Sequence, residues 1–356
     1  MVFIERMVLM MKKKFLALLL VGVLGICSLV GCGKSNSTAN NTGSKDSADS
    51  KETSSITEYD GTVSIAFTTW VGYAPLFIAK EKGIFEKNGV DMDLRIIESA
   101  GDIKTAVASN SIQGYAMTVD TIVMGMGAGL DTTQVLALDT SCGGDGVVCK
   151  SEYNSLSELK GKKVAIDTSG GASLFYFYYL LGEQGLTMDD FDIQNMSAGD
   201  AGSAFVGGSV DAAVTWEPWL TNAKDTDFGK VLCDSTETPG VICDTLCFNA
   251  EFIEKYPDTV QAICDSWFEA LEMLNAKDTH EECMDIMAQY LGMTREELES
   301  VADTVEFYDK EKNKEYIGGG ELQKMSEYAA KVWYDLKLVD KEVDCSKAVD
   351  TKFVAK

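Results

Sequence analysis

The sequence predicts an α/β protein of two lobes with a helical carboxyl-terminal region. Three observations carry this. Segments that alternate as strands should are followed in turn by segments of helical periodicity. That succession runs through the chain twice, before and after about residue 140, and everything beyond about Glu251 is helical in pattern. The body beyond residue 60 has about 300 residues, long for one hydrophobic core and suited to two. Strand–helix alternation of this kind argues for mostly parallel sheets.

The elements read in order. "TVSIAF" is a strand, "TTWVGYAP" a loop and "PLFIAKEKGIFEKNG" a helix closed by glycine. "VDMDLRII" is a strand, "ESAGD" a loop and "DIKTAVASNSI" a helix; "GYAMTV" is a strand ending at Asp120–Thr121, "TIVMGMGAGL" a short helix and "TQVLALD" a strand. The second succession has the short helix "SLSELKG", the strand "KKVAID", the loop "TSGGAS" and the helix "ASLFYFYYLLGEQGL". The strands "FDIQNMS" and "DAAVTW" then flank the helix "AGDAGSAFVGG", and "KVLCDS" and "GVICDTLCFNA" lead out to the helical end.

In open α/β sheets, ligands collect outside the carboxyl ends of the strands. The loops there hold Trp70 and Tyr73, Glu98 and Ser99, Asp120 and Thr121, the Ser169–Ser173 turn, and Trp216, Glu217 and Trp219. "TSGGAS" opens a helix, so its N–H groups and the helix dipole favour an anion. Taken alone, Ser169, Gly170, Gly171, Ala172 and Ser173 read more simply as a plain capped turn, and the Walker ending is missing. Phe175, Tyr178 and Tyr179 share a helix face and read as core, as do Trp267 and Trp333. Asp120 and Glu217 read as acceptors for a ligand amine or ring N–H, or else as structural acids. The single histidine, His280, opens a charged helix and reads as a solvated residue. No cluster has metal-ligand spacing, and no cofactor is expected.

The amino terminus decides where the protein works. Lys12–Lys14 precede an apolar run from Phe15 to Val30, the pattern of a secretory leader. It ends Leu29-Val30-Gly31-Cys32, which resembles a bacterial lipobox, so residues 1–31 are expected to be removed and Cys32 lipidated. Residues 32–59 are Ser-, Asn-, Thr-, Lys- and Asp-rich and read as a flexible tether. The chain has 31 basic and 56 acidic residues; without Glu5, Arg6 and Lys12–Lys14 these become 27 and 55, a net charge of −28. Nucleic acid is therefore not an expected partner. Eight cysteines follow Cys32, most of them in apolar runs, and read as small core residues. A Cys142–Cys149 disulfide across "GGDG" stays open as the lesser alternative. Cys243 and Cys247, on one strand, lie about 13 Å apart, too far to share an ion.

"TTWVGYAPLFIAKEKGIFEKNGVDM", "LKGKKVAIDTSGGAS" and "GSVDAAVTWEPWL" resemble the solute-binding proteins of ABC transporters that take nitrate, taurine, alkanesulfonates and thiamine-pyrimidine relatives. The likeness covers nearly all of residues 60 to 350. It implies a type 2 periplasmic-binding-protein fold with two hinge strands, near Asp139–Gly144 and Cys243–Cys247. One lobe would be residues 60–140 with 246–356, the other 141–245. By position, the cleft residues would be Trp70, Tyr73, Ser99, Asp120, Thr121, Ser141, Ser169–Ser173, Trp216, Glu217 and Asp244. The resemblance implies an ABC permease as partner and a monomer, exported and lipid-anchored on the outer face of the bacterial cytoplasmic membrane. With only Arg95 and Arg295 beyond the leader, neither in a cleft loop, a nitrate-like ion is disfavoured. A taurine-like zwitterion is preferred, with an amine-bearing pyrimidine as the alternative. The superfamily's pyrimidine-making enzymes rely on histidine and metal chemistry that this chain's composition does not offer, so it is not read as an enzyme.

Overall fold

The computed structural model describes residues 58–355. The leader, Cys32 and the tether as far as residue 57 lie outside the described residues. Two separate sheets organise the chain. The first contains β1 (Val63–Phe67), β2 (Met92–Ile96), β3 (Gly114–Thr118), β4 (Thr132–Ser141), β10 (Cys243–Asn249) and β11 (Val305–Phe307), in the order β11-β4-β10-β3-β1-β2. The second contains β5 (Asp145–Lys150), β6 (Lys163–Ile166), β7 (Asp192–Asn195), β8 (Ala212–Trp216) and β9 (Gly229–Asp234), in the order β7-β6-β8-β5-β9.

In each sheet the strands joined by helical crossovers pair in parallel, β1 with β2 and β3, and β6 with β7 and β8. The strands that carry the chain between sheets pair antiparallel. β10 lies between β3 and β4, with Asp244 opposite Thr118 on one side and Asp139 on the other. β5 lies between β8 and β9, with Asp145 opposite Trp216. The chain thus leaves the first sheet after Ser141, enters the second at Asp145, and returns between Asp234 and Cys243. The return crossing precedes the Cys243–Cys247 segment proposed as a hinge from sequence. Asp244–Cys247 of that segment are paired on both sides inside the first sheet.

Three further differences have local causes. The helix expected over "PLFIAKEKGIFEKNG" is two helices, Pro75–Glu81 and Ile84–Lys87, divided at Gly83 with φ 65°. β5 and β11 were not read as strands, because "DGVVCK" follows a glycine-rich loop and "VEF" ends a helical pattern. All eight cysteines among the described residues are free. β5 runs away from the crossing, so Cys149 is far along a paired strand while the Cys142 N–H stays at the crossing, donating to Thr304 O at 2.8 Å.

The first sheet's core is rich in large side chains, among them Phe67, Phe85, Phe248 and Trp267, all at most 1% exposed. Tyr59 already belongs to this body, packing edge-on against Phe252 and Tyr256. The long helix Glu321–Asp335 touches both parts. Its Trp333 indole donates to Asp120 O at 2.7 Å, and Tyr328 and Trp333 pack against Phe175 of the second part. Trp267 and Trp333 are core residues, as their helical spacing predicts.

Candidate functional site

Every buried charged side chain among the described residues is one of four aspartates: Asp120, Asp139, Asp145 and Asp244, at 2%, 0%, 5% and 3% exposure. Interiors rarely hold unpaired charge, because desolvating a carboxylate is costly. All four gather at the crossings between the sheets. Asp139 is near the end of β4 and Asp244 near the start of β10, directly opposite in the ladder. Asp145 opens β5. Asp120 is in the first turn of the helix Val119–Gly127, which starts where β3 ends beside Asp244.

The loop after β1 closes over them. Trp70 precedes the short turn Val71–Tyr73, and its indole N–H donates to Asp139 Oδ1 at 3.0 Å. The Tyr73 hydroxyl donates to Asp244 Oδ1. Gly72 between them has no side chain because Asp139 fills that space; a Cβ there would collide with the carboxylate. A Cβ on Gly144 would lie 3.2 Å from the edge of the Trp70 ring. Ser141 and Ser235 share a hydrogen bond of 2.8 Å across the two crossings, and the Gly143 N–H donates to Ser235 Oγ at 2.8 Å.

Burial pushes the Asp120 carboxyl up to about 6, against hydrogen bonds from Thr118 and Thr121 and the charge of Lys104. Burial raises Asp145 to about 7, assisted by the negative charges of Asp120 and Glu217. Asp244 is likewise raised to about 7 by burial, opposed by the Tyr73 hydroxyl and assisted by Asp145 and Asp120. Asp139 is pushed well above the ordinary range by burial and then by the Asp244 charge. These groups repel one another, and Lys104 is the cation that acts on the cluster, through Asp120. Arg95 is held on the surface by Asp93 and the Ser64 hydroxyl, and Arg295 by Glu281, Asp285 and Glu299.

The strand-end loops behave differently. Ser99 is exposed and caps the helix Ala100–Ala108 by accepting from Asp102 N at 3.2 Å. Glu98 accepts from the Thr69 hydroxyl at 2.6 Å. Ser169 is exposed and donates to Asp167 Oδ1 at 2.6 Å. Glu217 accepts from Thr221 N at 3.1 Å and Thr221 Oγ1 at 2.7 Å, so it caps the helix Trp219–Lys224. Trp219 packs against Gly199 and Gly202, while Trp216 is half-buried opposite Asp145.

Gly170 and Gly171 take φ of 113° and 97°, a region that favours glycine. Gly170 sits against Met124 of the first part, and a Cβ on Gly171 would lie 4.0 Å from Thr121 Oγ1, so the turn faces the helix Val119–Gly127. Ala172 is half-buried, and the buried Ser173 Oγ has no hydrogen-bond partner.

The structure therefore gathers Trp70, Tyr73, Asp120, Thr121, Ser141 and Asp244 near the crossings, with Gly170–Gly171 against the Asp120 helix. Ser99, Ser169 and Glu217 are engaged in their own loops. Sequence reasoning placed Asp139 only at the start of a hinge segment and did not single out Asp145. The available signal was an aspartate closing the apolar strand "TQVLALD" and another before "GVVCK", both placed to be buried. His280 is exposed at a helix start, as predicted, its Nδ1 2.7 Å from Leu274 O. Among the described residues no three His, Cys, Asp or Glu side chains converge as metal ligands, and no helix is long and apolar enough to cross a membrane.

Residues 57–288 match the family model described as the NMT1-like family. A Bacillus subtilis protein described as an aliphatic sulfonates-binding protein is 24% identical over 289 residues, covering 80% of this chain and 84% of its own. The periplasmic aliphatic sulphonate binding protein SsuA of Escherichia coli superposes with a TM-score of 0.68 at 19% identity, over 81% of this chain and 92% of its own. The periplasmic nitrate-binding protein NrtA of Synechocystis does so with a TM-score of 0.60 at 17% identity, over 84% and 87%. The fold is that of the periplasmic binding proteins.

Proposed function

The chain belongs to the NMT1-like family, and from that footing we propose that it is the solute-binding component of an ABC importer, held to the membrane through Cys32. The observation that carries this reading is the gathering of polar and charged side chains at the two crossings, where the charge of Asp145 acts on Asp139 and Asp244 and Ser141 bonds Ser235. A small organic solute bridging the lobes, 60–140 with 246–356 against 141–245, favours the closed arrangement by binding it better than the open one. The closed form then docks on the permease. The names of the relatives support capture rather than chemistry, and His280 is held at its own helix start, against Leu274 O. In this reading the protein works as a monomer on the outer face of the cytoplasmic membrane.

Trp70, Tyr73, Asp120, Thr121, Ser141, Trp216, Asp244 and the Ser169–Ser173 turn line the capture site in this proposal. Ser99 and Glu217 shape its rim. A taurine-like aminosulfonate would put its anionic head on the Ser-Gly-Gly amides and its amine toward the aspartates. The test is a thermal-shift screen of the full chain against taurine, alkanesulfonates, nitrate and organic amines. A solute that binds only the native state raises its melting temperature. A rise with one chemical class is expected, and none with any class would count against capture. Cys32→Ser is expected to move the protein from the membrane fraction to the medium.

A further inference from the structure

Asp139 differs from its neighbours in one respect. Its Oδ1 takes the Trp70 indole N–H, while its Oδ2 is buried with no hydrogen-bond partner. A buried acceptor left unsatisfied costs free energy, and a buried charge costs more. The same residue faces the negative charges of Asp244 and Asp145. The hinge thus presents a buried carboxyl oxygen without a hydrogen-bond partner, among three further buried aspartates.

We propose that the captured solute is a small organic cation, a protonated amine or amidinium, that donates an N–H to Asp139 Oδ2 with its positive charge facing Asp145 and Asp244. This rests on the reading that the chain captures a solute between its lobes. A sulfonate or nitrate brought to the crossings would meet four carboxylates. Both guanidiniums among the described residues are engaged elsewhere, and Lys104 acts on Asp120. The half-buried Trp70 indole, held against Asp139 by its hydrogen bond, suits a cation. The aspartates do not converge as metal ligands, which favours an extended organic charge over a single ion. Closure follows from the same electrostatics. Bringing ionised Asp145 up to Asp139 and Asp244 is opposed by repulsion until a cation sits among them. Charge selection and lobe closure would then be one event.

The test is calorimetric titration of the full chain in detergent at pH 7.5. The probes are putrescine, agmatine, benzamidine and other organic cations, then taurine, ethanesulfonate and nitrate, then zinc and calcium. Asp139→Asn and Asp145→Asn are compared with wild type, and the surface variant Glu296→Gln controls for general attraction to an acidic protein. Melting curves certify that each variant folds. Saturable binding of at least one organic cation is expected, weakened tenfold or more by either aspartate variant and unchanged by Glu296→Gln. Anion binding that Asp139→Asn leaves intact would overturn the charge assignment while leaving solute capture standing. Cation binding that both aspartate variants leave intact would place it elsewhere and overturn the proposal. Zinc or calcium binding that the aspartate variants abolish, with organic cations inert, would also overturn it. Absence of binding by all three classes would overturn both the proposal and the capture reading.

Discussion

The strand-end loops and the hinge crossings both present polar side chains toward the middle of the molecule, but they bond over very different distances along the chain. Ser99 reaches Asp102, Ser169 reaches Asp167, and Glu217 reaches Thr221, all within four residues. Trp70 reaches Asp139 across 69 residues and Tyr73 reaches Asp244 across 171. Local bonds shape a turn and satisfy its polar groups in doing so. The long-range bonds fix the first loop onto the crossings and still leave Asp139 Oδ2 unsatisfied. Where polar groups already answer one another, little remains for a ligand; where they do not, a ligand changes the energy most.

The comparison breaks most visibly in pH dependence. Asp120, Asp145 and Asp244 titrate near 6, 7 and 7 in the fold, against about 4 in an unfolded chain. A carboxyl raised on folding contributes stability that is fully present below its unfolded pKa and lost as pH rises through its folded pKa. Surface acids act oppositely. The Arg95 hydrogen bond lowers Asp93 and the Lys87 hydrogen bond lowers Glu269, and their contribution is lost as pH falls through those depressed values. Stability should therefore peak near pH 5 and decline toward pH 8. At about 1.4 kcal/mol per pKa unit, the decline amounts to several kcal/mol. Urea melts from pH 4 to 9 measure it. Asp244→Asn should flatten the alkaline limb, and an unchanged limb would mean the hinge acids are not buried as described.

Gly72→Ala comes next. The new methyl has nowhere to go but into the Asp139 carboxylate, and overpacking of this kind costs about 1–3 kcal/mol. Combining it with Asp139→Ala should recover most of that loss, because contacting residues are not additive. Additivity of the two in denaturant melts would show that the loop does not rest on Asp139. Trp70→Phe keeps the ring packing but removes the donor, leaving both Asp139 oxygens without partners. A loss of about 1–2 kcal/mol is expected in the same melts.

The alternation that defines the two sheets was legible because period-2 and period-3.6 patterns are properties of neighbouring residues. Gly170 and Gly171 were legible as punctuation for the same reason, though the division of one expected helix at Gly83 was not. β11 was invisible, since three residues carry no period and its pairing with β4 depends on a partner more than 160 residues away. Asp139 and Asp145 were not read as site residues for a related reason. Nothing adjacent to "ALDTS" says that Gly72, Trp70 and Asp244 will enclose it. Trp70, Tyr73, Asp120 and Asp244 were singled out by the strand-end rule and by resemblance, without the acceptor that links them.

Glu217→Gln should have the smallest effect, and it sharpens the contrast because sequence reasoning gave Glu217 the role of ligand acceptor. Its carboxylate accepts from both the N–H and the hydroxyl of Thr221. Glutamine keeps one oxygen for one of these, so a loss of about 0.5–1 kcal/mol of stability is expected, in the range of a weakened helix cap. Its charge reaches the hinge only at a distance, as one of the contributors that raise Asp145. Removing it should ease Asp145 ionisation slightly and alter affinity for an organic cation less than threefold. A tenfold loss in calorimetry would return Glu217 to direct contact. It would also show that Thr221 gives up the carboxylate when solute arrives, and the division between satisfied loops and unsatisfied hinge would no longer hold at this corner.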